Sequence, residues 1–133
     1  MSFGALTLEG CLQSGLGEGA GFVALDWVSH QFHTRLGFWP FPGTLNLSLT
    51  GGEWQTAREA LLSAPGIPIQ PPPGFCAAKC FRVFIDGRIE GAIVLPDVAD
   101  YPADKLELVA PIAVRTELGL ADGDLVTLQV ELA

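Results

Sequence analysis

The stretch CFRVFIDGRIEGAIVLP, residues 80–96, limits the fold more than any other part of the chain. Two apolar runs flank Asp86-Gly87, a pair suited to a turn that requires positive φ, so the segment predicts a β-hairpin. Further strands follow from the same kind of patterning. Residues 5–12 alternate loosely, residues 22–25 read as a second short strand, and Leu45, Leu47 and Leu49 alternate with Thr44, Asn46 and Ser48, which is the period of a strand with one buried face. Residues 105–110 and the run after ADGD complete the set.

Helical spacing is confined to short pieces. Asp26 stands where an N-cap would, Val28, Phe32 and Leu36 recur at i+4, and Gly37 supplies a stop, so the spacing predicts a helix over 27–36 that Pro40 and Pro42 cannot continue. Residues 53–62 predict a second helix with Trp54, Ala57 and Leu61 on one side, and 113–118 a helical turn or two stopped by Gly119. The run APGIPIQPPPG cannot be helical and is expected to be a stiff surface loop. Six or seven strands with two or three short helices in 133 residues point to a mainly-β protein, a small closed barrel formed as one domain over residues 1–133. The 16 glycines and 10 prolines fit so many turns, and only 17% charged residues against 49% hydrophobic ones argues for a packed chain rather than a disordered one.

A formal net charge of -8, with no block of Lys or Arg, removes the attraction on which most nucleic-acid affinity rests. A bound polyanion would need its charge met locally, by backbone N–H groups, a metal ion or one well-placed arginine. No apolar run is long enough to span a bilayer and no signal segment opens the chain, so no membrane partner is expected and the cytoplasm is the default location. Three cysteines, Cys11, Cys76 and Cys80, read as reduced thiols.

Three patterns invite chemistry. GLGEGA, residues 15–20, fits the spacing of a dinucleotide loop but precedes a strand instead of opening a helix, which leaves an anion-binding nest of backbone N–H groups or a plain glycine hairpin. His30 and His33 with Cys76 and Cys80 suggest zinc, yet cysteines four apart on a strand lie ~13 Å from each other, too far to share one ion. Thr44 and Asn46, two apart on a strand, point to one face, so their oxygens can converge on a hard cation whose charge is met by substrate phosphates. Solvent-side residues of a half-buried strand would look the same.

Taken in order, GLGEG, LGFWPFPGTLNLSL, CFRVFIDGRIEGAIVLP and ELVAPIAVRTELGLADGDLVTLQV resemble the archaeal-type, CTP-dependent riboflavin kinases over residues 9–130. The resemblance implies a six-stranded cradle-loop barrel that transfers the terminal phosphoryl group of CTP to riboflavin, giving FMN and CDP. It implies that Gly15, Leu16, Gly17, Glu18, Gly19 and Ala20, with Ile112, Ala113, Val114 and Arg115, hold the nucleotide. It further implies that Thr44 and Asn46 ligate Mg²⁺, that Glu107 contacts the flavin and that Ala99 occupies a flavin-binding position; on physical grounds Glu107 is a candidate to orient or deprotonate the attacking hydroxyl. A monomer is expected, with the polar face of the strand after Gly43 aimed inward at a ligand.

Two positions depart from the family pattern. Ala20 stands where a basic residue is frequent, and DVADYP, with Ala99, stands where a Thr-containing segment is common. The alternatives are therefore a catalytically weak or inactive flavin- or nucleotide-binding member of the same fold and, more remotely, a DNA-binding or interaction barrel, since LGLADGDLVTLQV alone carries fold information only.

Overall fold

In the computed structural model, residues 5–13, 25–41, 44–74, 77–97 and 101–132 are described. Seven strands form one antiparallel sheet: β1 Ala5–Gln13, β2 Leu45–Thr50, β3 Ile67–Ile69, β4 Ala78–Ile85, β5 Ile89–Pro96, β6 Lys105–Val109 and β7 Leu125–Glu131. Among the described residues three short helices accompany them: α1 Asp26–Gln31, α2 Trp54–Ser63 and α3 Val114–Glu117. The strands run β4-β5-β6-β2-β1-β7, and β7 pairs back onto β4 through Val83↔Val130, which closes a six-stranded barrel. β5 takes one edge of β4, so its other edge is shared, Ala78–Cys80 taking β3 and Val83–Ile85 taking β7.

Closure explains the patterning. Leu8, Leu12, Leu47, Phe81, Ile93, Leu106, Leu108 and Leu128 are all buried and fill the barrel from its six strands. At roughly 1.5–3 kcal/mol for each large apolar side chain taken from water, this interior is the main source of stability. Since alternate residues point to opposite faces, Leu45, Leu47 and Leu49 enter the barrel and the polar side of β2 lies on its outer surface. The expectation that Thr44, Asn46 and Ser48 aim inward is thus corrected.

A second apolar cluster lies outside the barrel, where Val28, Phe32 and Leu36 cover Cys80, Ala92, Val94 and Val109. The predicted helix over 27–36 is α-helical only to Gln31 and ends in a π turn, Phe32–Leu36. Positions four apart drift around an α-helix of 3.6 residues per turn, and the wider turn brings Leu36 back toward the stripe started by Val28. Gly37, at φ 86°, ends it as expected, its N–H reaching the carbonyls of Phe32 and His33. Arg82 then fastens this end to the barrel, donating to the carbonyls of Leu36 at 2.7 Å and Arg35 at 3.1 Å. Leu25, not Asp26, is the N-cap, and no side chain caps it. Of the expected strand over 22–25, residues 22–24 lie outside the described residues.

The hairpin forms where predicted, with Asp86 at φ 51° and Gly87 at φ 67° between Ile85 and Ile89. Gly119 likewise stops α3, at φ 63°. The proline-rich run holds a surprise, because Ile67–Ile69 within it is a strand and Ile69 is fully buried against α1. Pro68 is tolerated there because β3 is an edge strand, with one side free of the ladder.

Candidate functional site

The end of β1, the start of β2 and the end of β6 meet at one mouth of the barrel, because antiparallel neighbours bring opposite termini together. A cleft of about 280 Å³ opens there, and Gln13, Phe41, Thr44, Asn46 and the run Ile112, Ala113, Val114 and Arg115 all contribute to its walls. Residues from three separate parts of the chain, two of them expected on different grounds, therefore share one concave surface.

Each wall has a local cause. Phe41 is held by its N–H to the carbonyl of Ala110 at 2.7 Å, which ties the segment before Thr44 to the end of β6. Thr44 just precedes β2 and Asn46 lies within it, two residues on, so both present side chains to the same outer face. Among the described residues, neither side chain has a hydrogen-bond partner. Ala113 precedes α3, and the first N–H groups of a helix have no partner within it, so this turn offers donors to the cleft. Arg115 forms an ion pair with Asp122 at 2.7 Å, and both side chains are about half exposed, at 46% and 53%. Exposed pairs are worth only ~0–1 kcal/mol, so a phosphate can compete for this guanidinium.

Glu107 is not part of the cleft wall. It stands next to it, as the direct partner of Asn46 across β2 and β6, while Gln13 pairs with Asn46 on the other side. Facing residues of an antiparallel pair share a face, so Gln13, Asn46 and Glu107 form one polar row on the outside of the barrel. Val94 continues the row on β5, where the surface turns apolar under α1. Glu107 accepts a 2.5 Å hydrogen bond from the hydroxyl of Tyr101. Burial, reinforced by that bond and by the nearby Glu107 charge, pushes the Tyr101 phenol far above its ordinary value; the Arg58 charge acts weakly the other way.

The glycine loop, Gly15, Leu16, Gly17, Glu18, Gly19 and Ala20, lies outside the described residues, as do Ala99 and Cys76. Among the described residues no cluster of three His, Cys, Asp or Glu side chains could hold a metal ion. Cys80 belongs to the apolar cluster under α1, and burial pushes its thiol up to about 12. His33 instead stacks on Trp39, with ring centroids 4.2 Å apart, and His30 meets the same indole edge-on.

Sequence patterning missed Gln13, Phe41 and Tyr101. Tyr101 is the chain's single tyrosine, six residues before Glu107, and only the loop between them shows that the two meet. Ser48, polar on the face of Asn46, acquires a partner in Asp104 at 3.3 Å.

Comparison with known proteins bears on this surface. Residues 12–130 match the family CTP-dep_RFKase, described as "Domain of unknown function DUF120". A protein named riboflavin kinase from Pyrobaculum arsenaticum is 42% identical over 96% of this chain and 62% of its own length. Proteins of the same name from Methanosarcina barkeri and Archaeoglobus fulgidus are 40% and 41% identical, over 95% and 97% of this chain and 57% and 56% of theirs. The chain thus spans about three-fifths of the length of the curated relatives it matches.

Proposed function

The chain belongs to the CTP-dependent riboflavin kinase family, and from that premise we propose that it transfers the γ-phosphoryl group of CTP to the terminal ribityl hydroxyl of riboflavin. A P–O bond forms to the hydroxyl oxygen, the bond from γ-phosphorus to the β-phosphate oxygen breaks, and the products are FMN, CDP and a proton. The observation that carries this reading is the convergence of Thr44, Asn46 and Ile112 to Arg115 on one cleft, beside Glu107.

Phosphoryl transfer needs in-line placement and neutralised charge more than a strong base. The N–H groups before and within α3, Arg115 and the 15–20 loop receive the cytidine nucleotide. Thr44 and Asn46 would hold Mg²⁺, and the donor set fits: two neutral oxygens, without partners among the described residues, suit an ion that keeps most of its ligands from phosphates and water. Bound there, the ion would supply positive charge to the phosphates, which an acidic protein otherwise lacks. Glu107 faces the flavin's hydroxyl and accepts its proton. We further place the reaction in the cytoplasm, carried out by a monomer.

The direct test is incubation with riboflavin, Mg²⁺ and each of the four nucleoside triphosphates in turn, followed by separation of FMN. FMN formed best with CTP is the expected result; folded protein that forms none with any nucleotide overturns the kinase reading in favour of a binding protein of the same fold. Glu107→Gln, which keeps the shape and removes the base, is expected to lower kcat about 10²-fold, the lower end for general-base catalysis. Full turnover by that variant would remove Glu107 from proton transfer.

A further inference from the structure

Tyr101 is held more firmly than an exposed connecting segment requires. Two cations lie over its ring, the Arg58 guanidinium 5.8 Å and the Lys105 ammonium 5.5 Å from its centroid. Arg58, on α2, is itself buried, with 8% of its surface exposed, and its Nη1 donates to the carbonyl of Lys105 at 3.0 Å. The segment between Tyr101 and β6 is fastened at further points: the Leu49 N–H donates to the Asp104 carbonyl at 2.7 Å, and the Lys105 N–H to that of Pro102 at 3.2 Å. Ser48 adds its hydroxyl to the Asp104 carboxylate. Thus β2, α2 and β6 all hold the segment that delivers one phenol to one carboxylate.

We infer that Tyr101 is a positioning residue for Glu107, fixing the carboxylate through Oε2 so that Oε1 is left to accept from the flavin. The inference rests on the reading of Glu107 as the flavin-facing group. A glutamate side chain has three rotatable bonds, and one anchored oxygen removes most of that freedom before substrate arrives. The hydroxyl remains a donor at working pH, because burial and Glu107 both oppose its ionisation. The two cations bind the ring face and leave the hydroxyl directed at Glu107, so Phe at this position keeps the ring contacts and loses only the donor.

The test is Tyr101→Phe, with riboflavin affinity followed by quenching of flavin fluorescence and with separate KM values for riboflavin and CTP. Loss of one hydrogen bond to a charged group corresponds to about a tenfold rise in riboflavin Kd and KM. The KM for CTP stays at its wild-type value and the melting temperature falls by only a few degrees, whereas a merely structural role would raise both KM values together. In a Glu107→Ala background the same substitution changes nothing further, since Tyr101 acts through the carboxylate. Wild-type riboflavin affinity in Tyr101→Phe, an equal rise in both KM values, or the same tenfold loss without Glu107 overturns the inference. Wild-type protein that binds no riboflavin instead overturns the reading beneath it, and the two failures are told apart by whether the wild type or only the variant departs from expectation.

Discussion

Asn46→Ala is expected to lower FMN formation from CTP on the order of 10²–10³-fold, because a bound cation supplies several kcal/mol of transition-state stabilisation and each 1.36 kcal/mol is a factor of ten. In the proposed site Asn46 is one of two neutral side chains that would hold the ion, so its loss would leave Thr44 alone on the protein side. The fold does not depend on it, since its side chain is on the outer face of β2 and Leu45 and Leu47 on either side do the packing. Melting temperature should therefore remain close to wild type. Thr50→Ala supplies the control: Thr50 shares the strand and the face but lies four residues along, ~13 Å away, and takes no part in the cleft. Raising Mg²⁺ should recover part of the lost rate in Asn46→Ala and change nothing in Thr50→Ala. Wild-type turnover in Asn46→Ala would strike Asn46 from the metal site.

Much of the architecture is legible from local pattern. Period-two leucines locate β2, Asp86-Gly87 locates the hairpin, and Gly37 and Gly119 stop their helices because a left-handed residue is cheapest as glycine. What escapes is whatever local pattern does not encode. β3 hides in a run dominated by proline, where an edge strand needs only half of its hydrogen bonds. The facing of β2 escapes too, since a closed barrel packed on its outside by α1 covers parts of both faces, and an alternating strand does not say which side its polar residues join.

The site divides in the same way. A shared face for Thr44 and Asn46 follows from spacing alone, but their meeting with Ile112 to Arg115, more than sixty residues later, depends on β2 pairing with β6. Only the resemblance to a family connected those segments in advance. Tyr101 is beyond both routes: it sits in the stretch where the chain departs from the family pattern, and its contacts are with Glu107 and with a cation from α2, far away in sequence. Side chains that act through another residue leave little periodic signal, whereas those that pack leave a strong one.

Phe81→Ala is expected to be among the most damaging single changes to stability, at about 3–5 kcal/mol, because removing a buried aromatic adds the cost of a cavity to the lost transfer energy. Phe81 is 1% exposed, projects from β4 into the barrel, and pairs across the sheet with Ile93, which is also fully buried. A closed barrel cannot collapse onto such a void without breaking strand pairing, so relaxation recovers little. Against a total stability of ~5–15 kcal/mol, the loss should lower the melting temperature by more than roughly 10 °C. Phe84, three residues on, tests the assignment of faces. It lies on the outer side of the same strand, 41% exposed, so Phe84→Ala should cost about 1 kcal/mol or less. Equal losses for the two variants in urea titrations would contradict a barrel filled from this face of β4. The same result would reach the site, since β4 closes the ring onto β7, and a ring that does not close cannot hold β1, β2 and β6 in the register that sets Gln13, Asn46 and Glu107 side by side.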